Sequence, residues 1–148
     1  MKIIINIGEM YKETEIIVNS GQMSDELEKV IAMIHVLDSK LTGMKDGQTY
    51  ILDAARILYI DTADKKTFLY TDKDVYETVL RLYELEQRLP SDMFFRAGKS
   101  VIINFGKIKS LKSDIDGRIT VTMDNNEKLI VSRQYASYIK EKLRRYSK

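Results

Sequence analysis

The chain of 148 residues has no cysteine, no tryptophan, a single proline and a single histidine. Without cysteine it can form neither disulfides nor thiolate metal sites, which fits a reducing compartment. His35 is the lone imidazole, and it stands among apolar positions of a predicted helix, where packing is its ordinary role. No group of Asp, Glu and His shows metal-ligand spacing, and no glycine-rich phosphate loop occurs. These absences argue against an enzyme and against any cofactor. No apolar run approaches the ~18 residues that a membrane span needs. The opening Met1-Lys2-Ile3-Ile4-Ile5-Asn6-Ile7 is too short a stretch for a secretory signal. The expected location is therefore cytoplasmic.

Hydrophobic residues make up 44% of the chain, a globular value. The length suits one domain, or one domain with a small appendage. The net charge of +2 conceals a division. Residues 1–93 carry 11 Lys and Arg against 17 Asp and Glu, a balance of −6, whereas residues 94–148 carry 13 against 5, a balance of +8. A basic segment of this kind is the electrostatic footprint of nucleic acid or of an acidic membrane surface. A solvated lysine-rich surface is the plainer reading, and charge alone does not choose between them.

Ile3–Ile7 and Glu15–Val18 read as two short strands. Ser24 or Asp25 then caps a helix whose apolar stripe is Leu27, Val30, Ile31, Ile34 and Leu37. Residues 1–43 thus predict a ββα appendage, and Met44–Gln48 a linker. From residue 45 onward short strands follow one another, through Tyr50–Leu52, Ile57–Asp61, Thr67–Thr71 and Val75–Val79. A short helix marked by Leu82, Leu85 and Leu89 stops at Pro90. Further strands at Ile108–Lys112, Arg118–Met123 and Lys128–Ser132 are joined by turns at Asp114–Gly117 and Asp124–Glu127, and a last helix runs from about Gln134 to Tyr146. The fold class is α+β and β-rich, with no βαβ alternation. It lacks the tri-helical period of a helix-turn-helix.

Two blocks concentrate the chemistry. The first is Phe94-Phe95-Arg96-Ala97-Gly98-Lys99-Ser100-Val101-Ile102-Ile103-Asn104, and the second is Val131-Ser132-Arg133-Gln134-Tyr135. In each, apolar residues that can anchor in a core flank cations that cannot, because burying an unpaired charge costs too much. Stiff strands would then carry cations at their ends. The two blocks resemble the LytTR DNA-binding domain of bacterial transcription regulators, with its Phe-x-Arg-x-x-x-Ser-x-x-x-Asn pattern and its late Ser-Arg-x-Tyr. The resemblance covers residues 45–148 and implies an elongated body of antiparallel sheets with few helices.

The resemblance also implies duplex DNA as the partner, read by loops at direct-repeat sites, with a homodimer on the DNA. It places DNA-reading side chains at Lys99 and Arg133, and a third contact in the hairpin of Lys65, Lys66 and Thr67. Arg offers a planar fork that matches the two acceptors of guanine. Ser100 is expected to donate to a phosphate or to brace its own turn. Gln134 and Lys107 are further expected contacts, with Lys109 and Lys112 flanking. Arg96 and Asn104 match the pattern and are expected to be structural; Arg144 and Arg145 read as a solvated helix end. Only some 43 residues precede the DNA-binding part, too few for a receiver domain. The chain therefore looks like the stand-alone regulators that pair with a small inhibitory membrane protein. A protein-interaction module whose basic end binds an acidic protein or membrane surface is the alternative.

Overall fold

A computed structural model describes the backbone of residues 1–146. It also describes the side chains of these residues, apart from 32, 35–38, 145 and 146, so the expectations for His35, Leu37 and Arg145 lie outside the described residues. Ten strands and three α-helices follow in the order α1 (Asp25–Asp38), β1 (Lys40–Lys45), β2 (Gln48–Asp53), β3 (Tyr59–Ala63), β4 (Lys66–Tyr70), β5 (Val75–Thr78), α2 (Leu82–Arg88), β6 (Phe94–Arg96), β7 (Val101–Asn104), β8 (Ile108–Ser113), β9 (Ile119–Met123), β10 (Lys128–Val131) and α3 (Arg133–Tyr146). All strand pairs are antiparallel. Seven strands form one sheet in the order β2-β1-β5-β4-β3-β7-β6, and three form a second in the order β10-β9-β8. The β-rich α+β class expected from the sequence is the observed one.

The large sheet is covered on one face along its width and on both faces at β3, β4, β6 and β7, which is why strands such as β3 and β7 read as apolar runs. Neighbouring residues alternate between two cores. Ile60, Ile102 and Phe94 join Leu82, Leu85 and Leu89 of α2 on one face. Tyr59, Ile103 and Phe95 join Val121 and Met123 of the small sheet and Ala136 and Ile139 of α3 on the other. Tyr59 and Tyr70 stack across the β3–β4 pair with ring centroids 4.3 Å apart. Asn104 is buried at the far end of β7, where its side-chain amide donates to Ile57 O (2.9 Å) and its oxygen accepts from Gly106 N (3.0 Å). The structural role expected for Asn104 is therefore met.

The appendage differs from expectation. Its helix is present, and Ser24 caps it by accepting from Leu27 N (3.1 Å). Residues 3–7 and 15–18 form no strand. Their isoleucines are exposed and have no ladder within the described chain, and high β-propensity without a partner strand leaves the backbone unpaired. The expected linker is also absent. Met44–Gln48 is the end of β1, an Asp46-Gly47 turn and the start of β2, in a hairpin whose register runs from Lys40↔Asp53 to Lys45↔Gln48. The sheet thus begins inside the segment assigned to the appendage. Gly43 packs against Tyr76 of β5, and a Cβ there would come 2.7 Å from the Tyr76 Cβ, so this strand needs a glycine at its centre.

Candidate nucleic-acid interface

One end of the two-sheet body gathers three segments that are far apart in sequence. The first is the β3–β4 hairpin, where Ala63 pairs with Lys66 and the turn is Asp64-Lys65. Both turn residues have positive φ, +52° and +65°, the geometry of a tight two-residue hairpin. The second is the Ala97–Ser100 loop between β6 and β7. The third is the junction of β10 and α3 at Ser132–Gln134, where Ser132 O accepts from Tyr135 N and Ala136 N and so starts the helix.

Backbone hydrogen bonds tie the three together. Thr62 N donates to Ser100 O (3.0 Å), joining the hairpin strand to the loop. Ser132 N donates to Ala97 O (2.9 Å), joining the loop to the helix junction. A fourth element, the β8–β9 hairpin, supports the last of these. Gly117 has φ +90°, and a Cβ on it would stand 3.2 Å from both Cγ and Cδ of Arg133. The stem of Arg133 therefore lies across a position that only glycine leaves open.

Lys65, Lys66, Lys99, Ser100, Arg133 and Gln134 are all exposed at this end. Among the described residues, Lys65, Lys99 and Arg133 have no ion-pair partner. Lys66 lies 3.7 Å from Glu77, a contact between exposed groups that solvent weakens. Apart from Lys66, the cations carried by these joined segments are not consumed by ion pairs among the described residues. Arg96 is different. Its Nε donates to Gly98 O and its Nη2 to Lys99 O, both at 2.6 Å, and its Nη1 is paired with Glu86 of α2. The structural role expected of it is met, with a specificity that the sequence did not announce.

Two expected contacts stand elsewhere. Thr67 is only 5% exposed, buried in β4 between Thr62 and Thr78, so its hydroxyl cannot reach a ligand at the hairpin tip. Alternation explains this, because Lys66 points out of the sheet and the next side chain must point in. Lys107 lies beyond Asn104, at the opposite end of β7 from Ser100, and its carbonyl accepts from Asp124 N in the turn after β9. It is not part of the cluster. Lys109, bonded to Asn126 Oδ1 at 2.9 Å, belongs to the same far end.

An acid sits just behind the interface. Asp61 of β3 accepts a hydrogen bond from Tyr70 OH on Oδ2 (3.2 Å), while its Oδ1 is buried with no partner among the described residues. Burial pushes the Asp61 carboxyl above the ordinary carboxylate value. Burial, with the Asp61 charge beside it, pushes the Tyr70 phenol up to about 12. No cluster of metal-binding side chains occurs among the described residues, and no described helix is long and apolar enough to cross a membrane.

Comparison with known proteins bears on the family and the fold. Uncharacterized HTH-type transcriptional regulators of Staphylococcus aureus strains MSSA476 and MW2 are each 29% identical to the chain over 145 residues, covering 97% of it and 98% of their own length. A solved LytTr DNA-binding domain from Bacillus cereus superposes with a TM-score of 0.68 at 30% identity, covering 72% of this chain and 97% of that one. The family model described as the LytTr DNA-binding domain matches residues 47–144. The chain belongs to the LytTR DNA-binding domain family.

Proposed function

We propose that the protein is a cytoplasmic transcription regulator that binds duplex DNA with the ends of its strands. The observation that carries this reading is the mutual hydrogen bonding of three cation-bearing segments at one end of the body. Arg133 is the base-reading residue, because a guanidinium fork fits the O6 and N7 acceptors of guanine in the major groove. Lys99, with Ser100, and the pair Lys65 and Lys66 hold phosphates on either side, and Gln134 lies beside Arg133. Loops that enter neighbouring grooves from one face favour bent DNA, so part of the specificity comes from deformability. Two copies on a direct repeat would double the contact. Control then falls to residues 1–39, which dock either a second copy or an inhibitory membrane protein.

Selection of bound duplexes from a random pool tests the reading, repeated with Arg133→Ala and Lys99→Ala. Arg133→Ala is expected to cost about 1–3 kcal/mol and to relax the preference at one or two bases. Lys99→Ala is expected to weaken all duplexes alike and to lower the slope of log affinity against log salt by about one. Enrichment of no sequence, or equal affinity of both variants and wild type, rejects it. Competition between random duplex and anionic liposomes tests the alternative of an acidic protein or membrane partner, which predicts that liposomes displace the DNA.

A further inference from the structure

The carbonyl oxygens of the Ala97–Ser100 loop are all engaged from inside the protein. Ser132 N holds Ala97 O at 2.9 Å, Arg96 Nε holds Gly98 O at 2.6 Å, Arg96 Nη2 holds Lys99 O at 2.6 Å, and Thr62 N holds Ser100 O at 3.0 Å. Arg96 supplies the two central bonds, and its third nitrogen is taken by Glu86. With all three nitrogens occupied and its side chain 22% exposed, Arg96 is poorly placed to contact DNA itself. No peptide among the described residues is cis, so a carbonyl aimed at Arg96 sends the next N–H the opposite way. The N–H groups of Lys99 and Ser100 therefore point away from the guanidinium, and no acceptor among the described residues takes them.

We propose that Arg96 is the positioning residue of this loop, a clamp that draws its carbonyls inward so that the Lys99 ammonium and the Lys99 and Ser100 amides together meet one DNA phosphate. Glu86 fixes the clamp from α2. The task needs a flat group with donors on several edges, which arginine has; lysine has one nitrogen and cannot span Gly98 O, Lys99 O and a carboxylate in one plane. The inference rests on the reading of Lys99 as a DNA contact.

A double-mutant cycle separates the two. Affinity of the full chain for a labelled random-sequence duplex is measured over a range of salt for Arg96→Ala, Lys99→Ala and the pair, with melting temperatures recorded alongside. Lys99→Ala lowers affinity and reduces the salt slope by about one. Arg96→Ala should lower affinity and slope by at least as much, and the pair should bind more weakly than Lys99→Ala only by the share the two amides carry, well short of the product of the two single losses. Arg96→Lys, which keeps the charge, should not restore binding. Losses that multiply in the pair, or wild-type binding by Arg96→Lys, overturn the clamp while leaving Lys99 a contact. An unchanged affinity in Lys99→Ala overturns the contact reading and the clamp with it. Should Arg96→Ala fail to fold, Glu86→Gln takes its place in the cycle, with a smaller loss that must likewise shrink in the Lys99→Ala background.

Discussion

Lysine is a costly residue to hold at φ +65°, yet Lys65 is held there. The β1–β2 hairpin makes the same kind of turn with Asp46-Gly47, the chemistry such a turn prefers. A side chain in the left-handed region costs roughly 1–2 kcal/mol. Strain of this order is tolerated where a side chain has other work to do, and here the strained position carries an exposed ammonium at the interface. Lys65→Gly should raise stability by about 1 kcal/mol, after allowing for the freer unfolded chain. It should also weaken DNA binding and lower the salt slope. Thermal melts and a salt titration check both; unaltered binding would remove Lys65 from the interface.

Asp61 carries the opposite kind of tension, a charge kept from water. Its folded-state proton affinity lies above that of the unfolded chain, because burial outweighs the Tyr70 hydrogen bond. Between the ordinary carboxylate value and the raised one, the folded state binds more protons than the unfolded state, so stability falls as pH rises through that window. Asp53 and Asp74 act in the other sense, since Lys40 and Lys45 hold their carboxyls below the ordinary value, and what they add is lost as pH falls. Asp61→Asn should therefore melt higher than wild type at neutral pH, and the gain should shrink to nothing below the unfolded carboxylate value. A pH series of melts decides it.

At the scale of elements, the strands that pack on both faces were legible and the exceptions have physical reasons. Ile57–Asp61 announced itself because both sides of that stretch are buried, while Val101–Asn104, the strand β7, stood in the sequence only as part of an apolar block. β1 did not, because Gly43 at its centre answers a tyrosine more than thirty residues away, a fact of packing that no local pattern records. The N-terminal isoleucine runs misled in the other direction: they have the composition of strands but no ladder to join. Among the candidate site residues, the exposure of Lys99 and Arg133 beside buried neighbours was legible from their blocks, while the burial of Thr67 follows from the β3–β4 and β4–β5 registers that set it between Thr62 and Thr78. The support of Arg133 by Gly117 was invisible, because the two belong to different hairpins. Gly117→Ala tests that support. An L-residue at φ +90° is strained, and its methyl would displace the Arg133 stem. The expected result is a loss of about 1–2 kcal/mol in stability, with relaxed base preference at the contact proposed for Arg133. A loss of stability with unchanged selectivity would separate the hairpin from recognition.

At the scale of the molecule, the body and the first 39 residues are different kinds of material. The body closes two cores over one sheet, whereas the segment before α1 exposes Ile3, Ile4, Ile5, Ile7, Ile16 and Ile17. Apolar surface on this scale is a usual mark of an interaction site. Removing residues 1–39 leaves β1 and both cores whole. The truncated chain should fold, retain the salt-dependent binding of a single copy, and sediment as a monomer at concentrations where the full chain sediments as a larger species. Equal sedimentation of both would leave a membrane protein as the better occupant of that segment.

The double covering of the large sheet has one more implication. Because both surfaces of that sheet are packed at β3, β4, β6 and β7, the strands that carry the tips, a change of operator at this end must be written in a few residues at the strand tips, where the chain turns and little packing is at stake. Recognition in such a body is detachable. Exchanging the three tip segments between this chain and one of its staphylococcal relatives would carry the preferred sequence across with them and leave the thermal stability of the host scaffold nearly untouched.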